Sequence, residues 1–200
     1  FFFAMKHITL TLIIITLYSC SKTVTLFKLL DSEQTGVDFN NKITETTEFN
    51  ILTDEYIFNG GGVAVADFDK NGLPDLFFTG NMVSNELYLN QGDLKFKKVT
   101  EQAKLDSSHF WSSGVAAVDI NSDGLMDIYV ASSMQKGNRE NRLYINQGNN
   151  NEGIPIFKEE AKNYGIDDSS NTMGVAFIDF DRDGDLDLYV LNNEQNATLP

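Results

Sequence analysis

The chain is poor in the residues that most often carry chemistry. It has one cysteine, Cys20, and two histidines, His7 and His109. A single cysteine excludes an internal disulfide. Positive charge is also scarce: 15 Lys and Arg stand against 29 Asp and Glu, a net charge of −14. A chain of that sign repels nucleic acid and suits solubility or cation binding. There is no G-x-S-x-G, no H-E-x-x-H and no phosphate loop. His109 lies in SHFWSSG beside Trp111, where an aromatic-flanked histidine before an apolar strand reads as packed at a seam. The chain is therefore read as not an enzyme. Only three prolines accompany 15 glycines, which suits many tight turns. Sustained helical periodicity is missing too, while Phe, Tyr, Val and Ile are abundant, so the class is all-β.

Long apolar runs are likewise missing. Residues 1–4 read as upstream translation or an artefact. From Met5 the chain reads MKHITLTLIIITLYSC, a Lys followed by an apolar run of about ten residues and then small polar ones. A membrane-crossing helix needs about 20 residues, so residues 5–19 read as an export signal. The residues before Cys20, Leu17-Tyr18-Ser19, resemble the lipobox of bacterial lipoproteins, with Tyr18 bulkier than usual there. That resemblance implies acylation of Cys20 and a mature N-terminus at that residue. Ser21 stands where an aspartate would signal inner-membrane retention, which implies an outer-membrane lipoprotein, facing the periplasm or the outside.

What the chain does have is a repeat. GVAVADFDKNGLPDLFF from Gly62, GVAAVDINSDGLMDIYV from Gly114 and GVAFIDFDRDGDLDLYV from Gly174 align without gaps, at spacings of 52 and 60 residues. A second block follows twice, NELYLNQG at 85–92 and NRLYINQG at 141–148, each with a Phe-Lys strand after it. That is four strands per unit, which points to β-propeller blades. Small apolar first strands, such as Val63-Ala64-Val65-Ala66, suit a crowded inner position. A β-solenoid is the competing repeat architecture. The expected layout is a mature lead-in over 20–55 and blades over 56–108, 109–168 and 169–200, the third truncated. A closed ring takes about four to eight blades. Two and a half blades are thus expected to be the N-terminal part of a longer protein; the alternative is an open three-unit sheet.

Each unit carries an acidic turn with oxygen-bearing side chains at positions 1, 3, 5 and 9 and glycine at 6. The first turn offers Asp67, Asp69, Asn71 and Asp75, the second Asp119, Asn121, Asp123 and Asp127, the third Asp179, Asp181, Asp183 and Asp187. The carbonyls at position 7, of Leu73, Leu125 and Asp185, can complete a shell. Alternate side chains in a tight turn converge on one centre, and the glycine permits the bend. About six hard oxygens in a flexible loop suit Ca²⁺ better than the stricter Mg²⁺. With no His or Cys in the turns, zinc and copper are poor candidates. Three calcium ions are expected, one per repeat. Ten of the 29 acidic residues stand at these side-chain positions, so calcium would offset much of the excess charge. Metal-free Asx turns are the competing reading. The grid differs from an EF-hand, whose last acid is a glutamate at position 12 and whose flanks are helical.

These D-x-[DN]-x-[DN]-G-x-x-D turns between GVA and [LI][FY] strands resemble FG-GAP or VCBS repeats, found in the β-propeller of integrin α-subunits and in bacterial surface proteins. The LYxNQG block resembles the branch related to cartilage acidic proteins, whose members often carry a further ASPIC/UnbV domain. The lead-in FKLLDSEQTGVDFNNKITETTEFNILTDEYIFNGGG is similar to that of large Bacteroidota lipoproteins. The resemblance implies calcium ligands at the positions above and no catalytic residue; Asn71 and Asn121 replace aspartate and should weaken their sites. It implies a module that binds a protein or glycan, as in adhesion. The loops Asn81–Asn85 and Ser132–Asn141 are the candidate contact surfaces. The alternatives are an envelope scaffold, or an accessory domain of an enzyme whose catalytic part lies further along.

Overall fold

The computed structural model describes residues 25–105, 110–133 and 139–193. Residues 5–19, expected to be an export signal, lie outside the described residues, as do Cys20, His109 and the middle of the Ser132–Asn141 loop. The chain divides into two units, Phe1–Leu30 and Asp31–Pro200, and every element below lies in the second.

Apolar residues recurring at every second position, broken by glycine-bearing turns, give three antiparallel sheets in sequence order. The first blade is β1 (Val63–Ala66), β2 (Asp75–Phe78), β3 (Glu86–Asn90) and β4 (Phe96–Lys98). The second is β5 (Ser112–Val118), β6 (Asp127–Ser132), β7 (Arg142–Asn149) and β8 (Pro155–Glu159), and the third contributes β9 (Thr172–Ile178) and β10 (Asp187–Asn192). Each sheet is a meander, so neighbours in sequence are neighbours in space. Two one-turn helices complete the described elements: α1 (Ser32–Thr35), capped by Asp31, and α2 (Ala161–Tyr164).

The period of two sends alternate residues of a strand to opposite faces. In the first blade Phe77, Leu87 and Leu89 turn one way and meet Ile128, Val130 and Tyr144 of the second. The intervening Tyr129, with Leu143 and Ile145, turns the other way and packs against Val175, Phe177 and Leu188 of the third. The middle blade is thus buried on both faces, which is why every residue of DIYVAS in β6 is buried. Each large side chain so buried contributes about 1.5–3 kcal/mol. The arrangement is that of an incomplete β-propeller, with no closed ring among the described residues.

The inner strands β1, β5 and β9 run side by side and approach closely at the glycines that open the first two GVA motifs. A Cβ on Gly62 would lie 3.1 Å from Val115 Cγ1 and 3.3 Å from the Gly114 Cα, and one on Gly114 would lie 3.5 Å from the Gly174 Cα. Backbone hydrogen bonds also cross between blades: Ser112 N–H donates to the Gly80 carbonyl (3.0 Å) and Phe157 N–H to that of Ala103 (3.0 Å).

Residues 38–41 of the lead-in cross the face of the first blade that points away from the second. Phe39 stacks on Phe78 (centroids 4.9 Å apart, planes 14° apart) and the Tyr88 hydroxyl donates to Asp38 (2.7 Å). Asn41 and Asn81 exchange two hydrogen bonds, of 2.6 and 2.9 Å. Further along, Phe49 meets the edge of Trp111, which is buried with Ile57.

Candidate metal centres in the acidic turns

The three acidic turns link β1 to β2, β5 to β6 and β9 to β10, at one end of the inner strand pair of each blade. Their backbones follow one path. Position 4 is left-handed in all three (Lys70 φ 58°, Ser122 57°, Arg182 65°), and so is the glycine at 6 (Gly72 86°, Gly124 81°, Gly184 99°). Side chains other than glycine avoid this region, so its occurrence three times means the surrounding bonds impose it.

Those bonds come from the acidic grid itself. At position 1, Asp67 accepts from Asn71 N–H (3.0 Å) and Gly72 N–H (2.9 Å), and Asp119 accepts from Asp123 N–H (3.1 Å) and Gly124 N–H (2.8 Å). At position 3, Asp69, Asn121 and Asp181 each accept from the N–H two residues on, at 3.0, 3.1 and 3.3 Å. At position 5, Asn71, Asp123 and Asp183 accept from the N–H groups of Leu73, Leu125 and Asp185 at 2.7, 2.8 and 3.1 Å. The residues expected to offer position-7 carbonyls are thus held in place through their N–H groups.

Position 9 does something different. Asp75 and Asp127 are fully buried, and both oxygens of each carboxylate are taken by backbone donors. Asp75 accepts from Phe68 N–H inside its own turn (2.8 Å) and from Asn90 N–H on β3 (2.7 Å). Asp127 accepts from Ile120 N–H (3.1 Å) and from Asn146 N–H on β7 (2.7 Å). Asp187 accepts from Phe180 N–H (2.9 Å) and is exposed. Asp75 and Asp127 therefore clamp their turns to the third strands of their blades, and Asp75 also faces Asp67 and Asp69. A carboxylate has about four lone-pair sites, so two N–H bonds leave capacity for a further partner.

Oxygens of Asp67, Asp69 and Asp75 lie within 4.8 Å of one another, and so do those of Asp179, Asp181 and Asp183, so both groups could hold a metal ion. The second turn keeps the same hydrogen bonds with an amide, Asn121, at position 3, and Asn121 Nδ2 donates to Asp123 (2.9 Å). Burial pushes the Asp75 and Asp127 carboxyls up to about 6, against the pull of their N–H partners. Burial and the neighbouring Asp67 also raise Asp69. In the exposed third turn, the bond to Asp183 and its charge raise Asp185, while accepting from Asp185 lowers Asp183.

Sequence reasoning missed three features that hold these turns. Position 2 is apolar in every turn, and Phe68 is buried between the first two blades, 6.2 Å from the Phe157 ring centroid. Its counterpart Ile120 packs against the Tyr129, Leu143 and Ile145 cluster of its own blade, while Phe180 is 79% exposed. The asparagine of LYxN, Asn90 or Asn146, supplies the N–H that clamps position 9. Asn149 Nδ2 reaches from the second blade to the Asp69 carbonyl (2.7 Å). The signal was present in the shared LYxNQG block, whose asparagine recurs beside different neighbours.

Of the two candidate contact loops, Asn81–Asn85 turns both asparagines inward. Asn81 donates to the carbonyls of Gly60 (3.2 Å) and Ser112 (3.1 Å), and Asn85 accepts from Gly80 N–H (2.8 Å). Met82 and Ser84 are exposed. In the other loop Ser132, Ser133 and Asn141 are buried, with 134–138 outside the described residues. Among the described residues no helix is long and apolar enough to cross a membrane.

The FG-GAP-like repeat family matches residues 67–130 and 119–190. Cartilage acidic protein 1 of Xenopus tropicalis is 26% identical over 147 residues, covering 72% of this chain and 22% of that protein. The human protein of the same name is 29% identical over 134 residues, covering 66% of this chain and 19% of its own length. The chain thus spans about a fifth of these relatives. Both family matches begin on the first aspartate of an acidic turn, Asp67 and Asp119, so the geometry and the comparison single out the same unit: the chain belongs to the family of FG-GAP-like repeat proteins.

Proposed function

We propose that this chain is a calcium-stabilised binding module of an exported envelope lipoprotein, acting by adhesion to a protein or glycan rather than by catalysis. The observation that carries the calcium reading is the recurrence of one turn three times, with oxygen donors only and the same left-handed positions. Asp67, Asp69, Asn71 and Asp75 would hold one ion, Asp119, Asn121, Asp123 and Asp127 a second, and Asp179, Asp181, Asp183 and Asp187 a third, with the carbonyls of Leu73, Leu125 and Asp185 completing the shells. Calcium would supply positive charge to carboxylates that burial and mutual repulsion disfavour. It would also hold the turn between the two inner strands of each blade, fixing the blade edges that a partner meets. Residues 5–19 serve as the export signal in this reading, and lipid on Cys20 ties the module to the outer membrane.

Thermal unfolding of the chain with Cys20→Ser, in calcium and in chelator, tests the mechanism. A ligand at 100 times its Kd stabilises by about 2.7 kcal/mol per site. Several sites then move the melting point by many degrees, with magnesium a poor substitute. Equal melting points in calcium and chelator would leave the turns as metal-free Asx structures and end the calcium reading.

A further inference from the structure

We propose that Asn146 is a positioning residue that couples the first acidic turn to the second, so that the two turns take up calcium cooperatively. This rests on the calcium reading above.

The Asn146 side chain is 1% exposed, and every polar atom of it is engaged. Its Nδ2 donates both to the Phe68 carbonyl (2.9 Å), in the turn of the first blade, and to the Met126 carbonyl (3.2 Å), in the turn of the second. Its Oδ1 accepts from Gly148 N–H (3.0 Å), which fixes the amide plane. Its own N–H holds Asp127, the ninth residue of the second turn, at 2.7 Å. One rigid amide therefore touches both turns. The first turn is gripped at two further points from the same side: Asn149 Nδ2 on the Asp69 carbonyl, and the Phe68 ring in the core between blades. Positions 2 and 3 of the first turn, which flank and include its candidate ligands, are thus set by the second blade.

The first blade shows the in-blade half of this arrangement alone. Asn90 occupies the place of Asn146, donates its Nδ2 to Pro74 (2.8 Å) and its N–H to Asp75 (2.7 Å). The cross-blade bond to Phe68 is thus additional to what the blade itself needs. An ion that fixes Asp67 and Asp69 orders the Phe68 and Asp69 carbonyls. Those carbonyls order Asn146 and Asn149, and Asn146 orders Asp127. By linkage the influence runs equally in reverse.

The test uses the chain with Cys20→Ser and ¹⁵N-labelled glycine. Gly72 and Gly124 each donate to the first aspartate of their own turn, so their amide resonances report the two sites separately. Calcium midpoints at Gly72 are compared in wild type, Asp119→Ala, Asn146→Ala and the double variant. Disabling the second turn with Asp119→Ala raises the Gly72 midpoint about fivefold, within the usual range of coupling between sites. In the Asn146→Ala background that rise disappears. A merely structural Asn146 would lower the melting point and leave the rise intact, which overturns the proposal, as does a Gly72 midpoint that Asp119→Ala never moves. Should Asn146→Ala fail to fold, Asn146→Ser removes the same Nδ2 bonds to Phe68 and Met126 and abolishes the rise; an unchanged rise there overturns the proposal. A wild-type chain whose glycines ignore calcium altogether overturns the calcium reading itself, a result distinct from the others.

Discussion

Asp75→Ala is the substitution that most sharply separates the turn as architecture from the turn as metal site. Asp75 is fully buried, and its two oxygens are the acceptors for Phe68 N–H at 2.8 Å and Asn90 N–H at 2.7 Å. Alanine leaves both donors buried without a partner, at about 1–3 kcal/mol each. Removing a buried charge works in the opposite direction. The expected loss is therefore about 2–4 kcal/mol, a large part of a domain's usual 5–15 kcal/mol. Asp67→Ala is the matched control. Asp67 accepts two N–H groups in an exposed setting, where water replaces it, so its loss in chelator is about 1 kcal/mol. Urea unfolding followed by Trp111 fluorescence reads both, since this single tryptophan is 3% exposed and is buried against Ile57, Ile43 and Phe49. In chelator Asp75→Ala unfolds well before Asp67→Ala; in calcium both also forgo the stabilisation of the first site, because both lose a ligand. An Asp75→Ala chain within about 0.5 kcal/mol of wild type in chelator would refute the clamp.

The anchoring of turns in the next blade makes a second contrast. Phe68→Ala should cost about 3–5 kcal/mol in urea unfolding, whereas Phe180→Ala, at a position 79% exposed, should stay within about 0.5 kcal/mol of wild type. Gly72→Ala meets no atom within 4 Å but must hold φ near 86°, so it should lower stability by about 1–2 kcal/mol, measured the same way in chelator.

The blades were legible because a strand's period of two and a turn's glycine are local properties. GVAVA and DLFF alternate as their register requires, Ala64 opposite Phe77, and each glycine at position 6 sits where the chain turns left-handed. The alignment of the three turns also exposed the oxygen grid before any contact was known. The dual duty of position 9 was not legible, because it depends on a strand that arrives 15 residues later in the first blade and 19 in the second. The lead-in was harder still. Asp38, Phe39 and Asn41 repeat nowhere in the chain, and their partners Tyr88, Phe78 and Asn81 lie 39 to 50 residues away, so neither period nor self-comparison marks them. The helix Ala161–Tyr164 is one turn long, too short for a 3.6-residue period to register.

The lead-in also covers one flank of the first blade. A bare apolar sheet face invites unwanted association, and the first blade would otherwise present Phe78 and Tyr88 on that side. The separation between Asp38 and Tyr88, 50 residues, is close to the 52 between the first and second blades. Closing the lead-in onto the sheet thus costs about the same chain entropy as adding a blade. Residues that are not themselves a repeat, Asp38, Phe39 and Asn41, thus do for the flank of the first blade what a further blade does for the others.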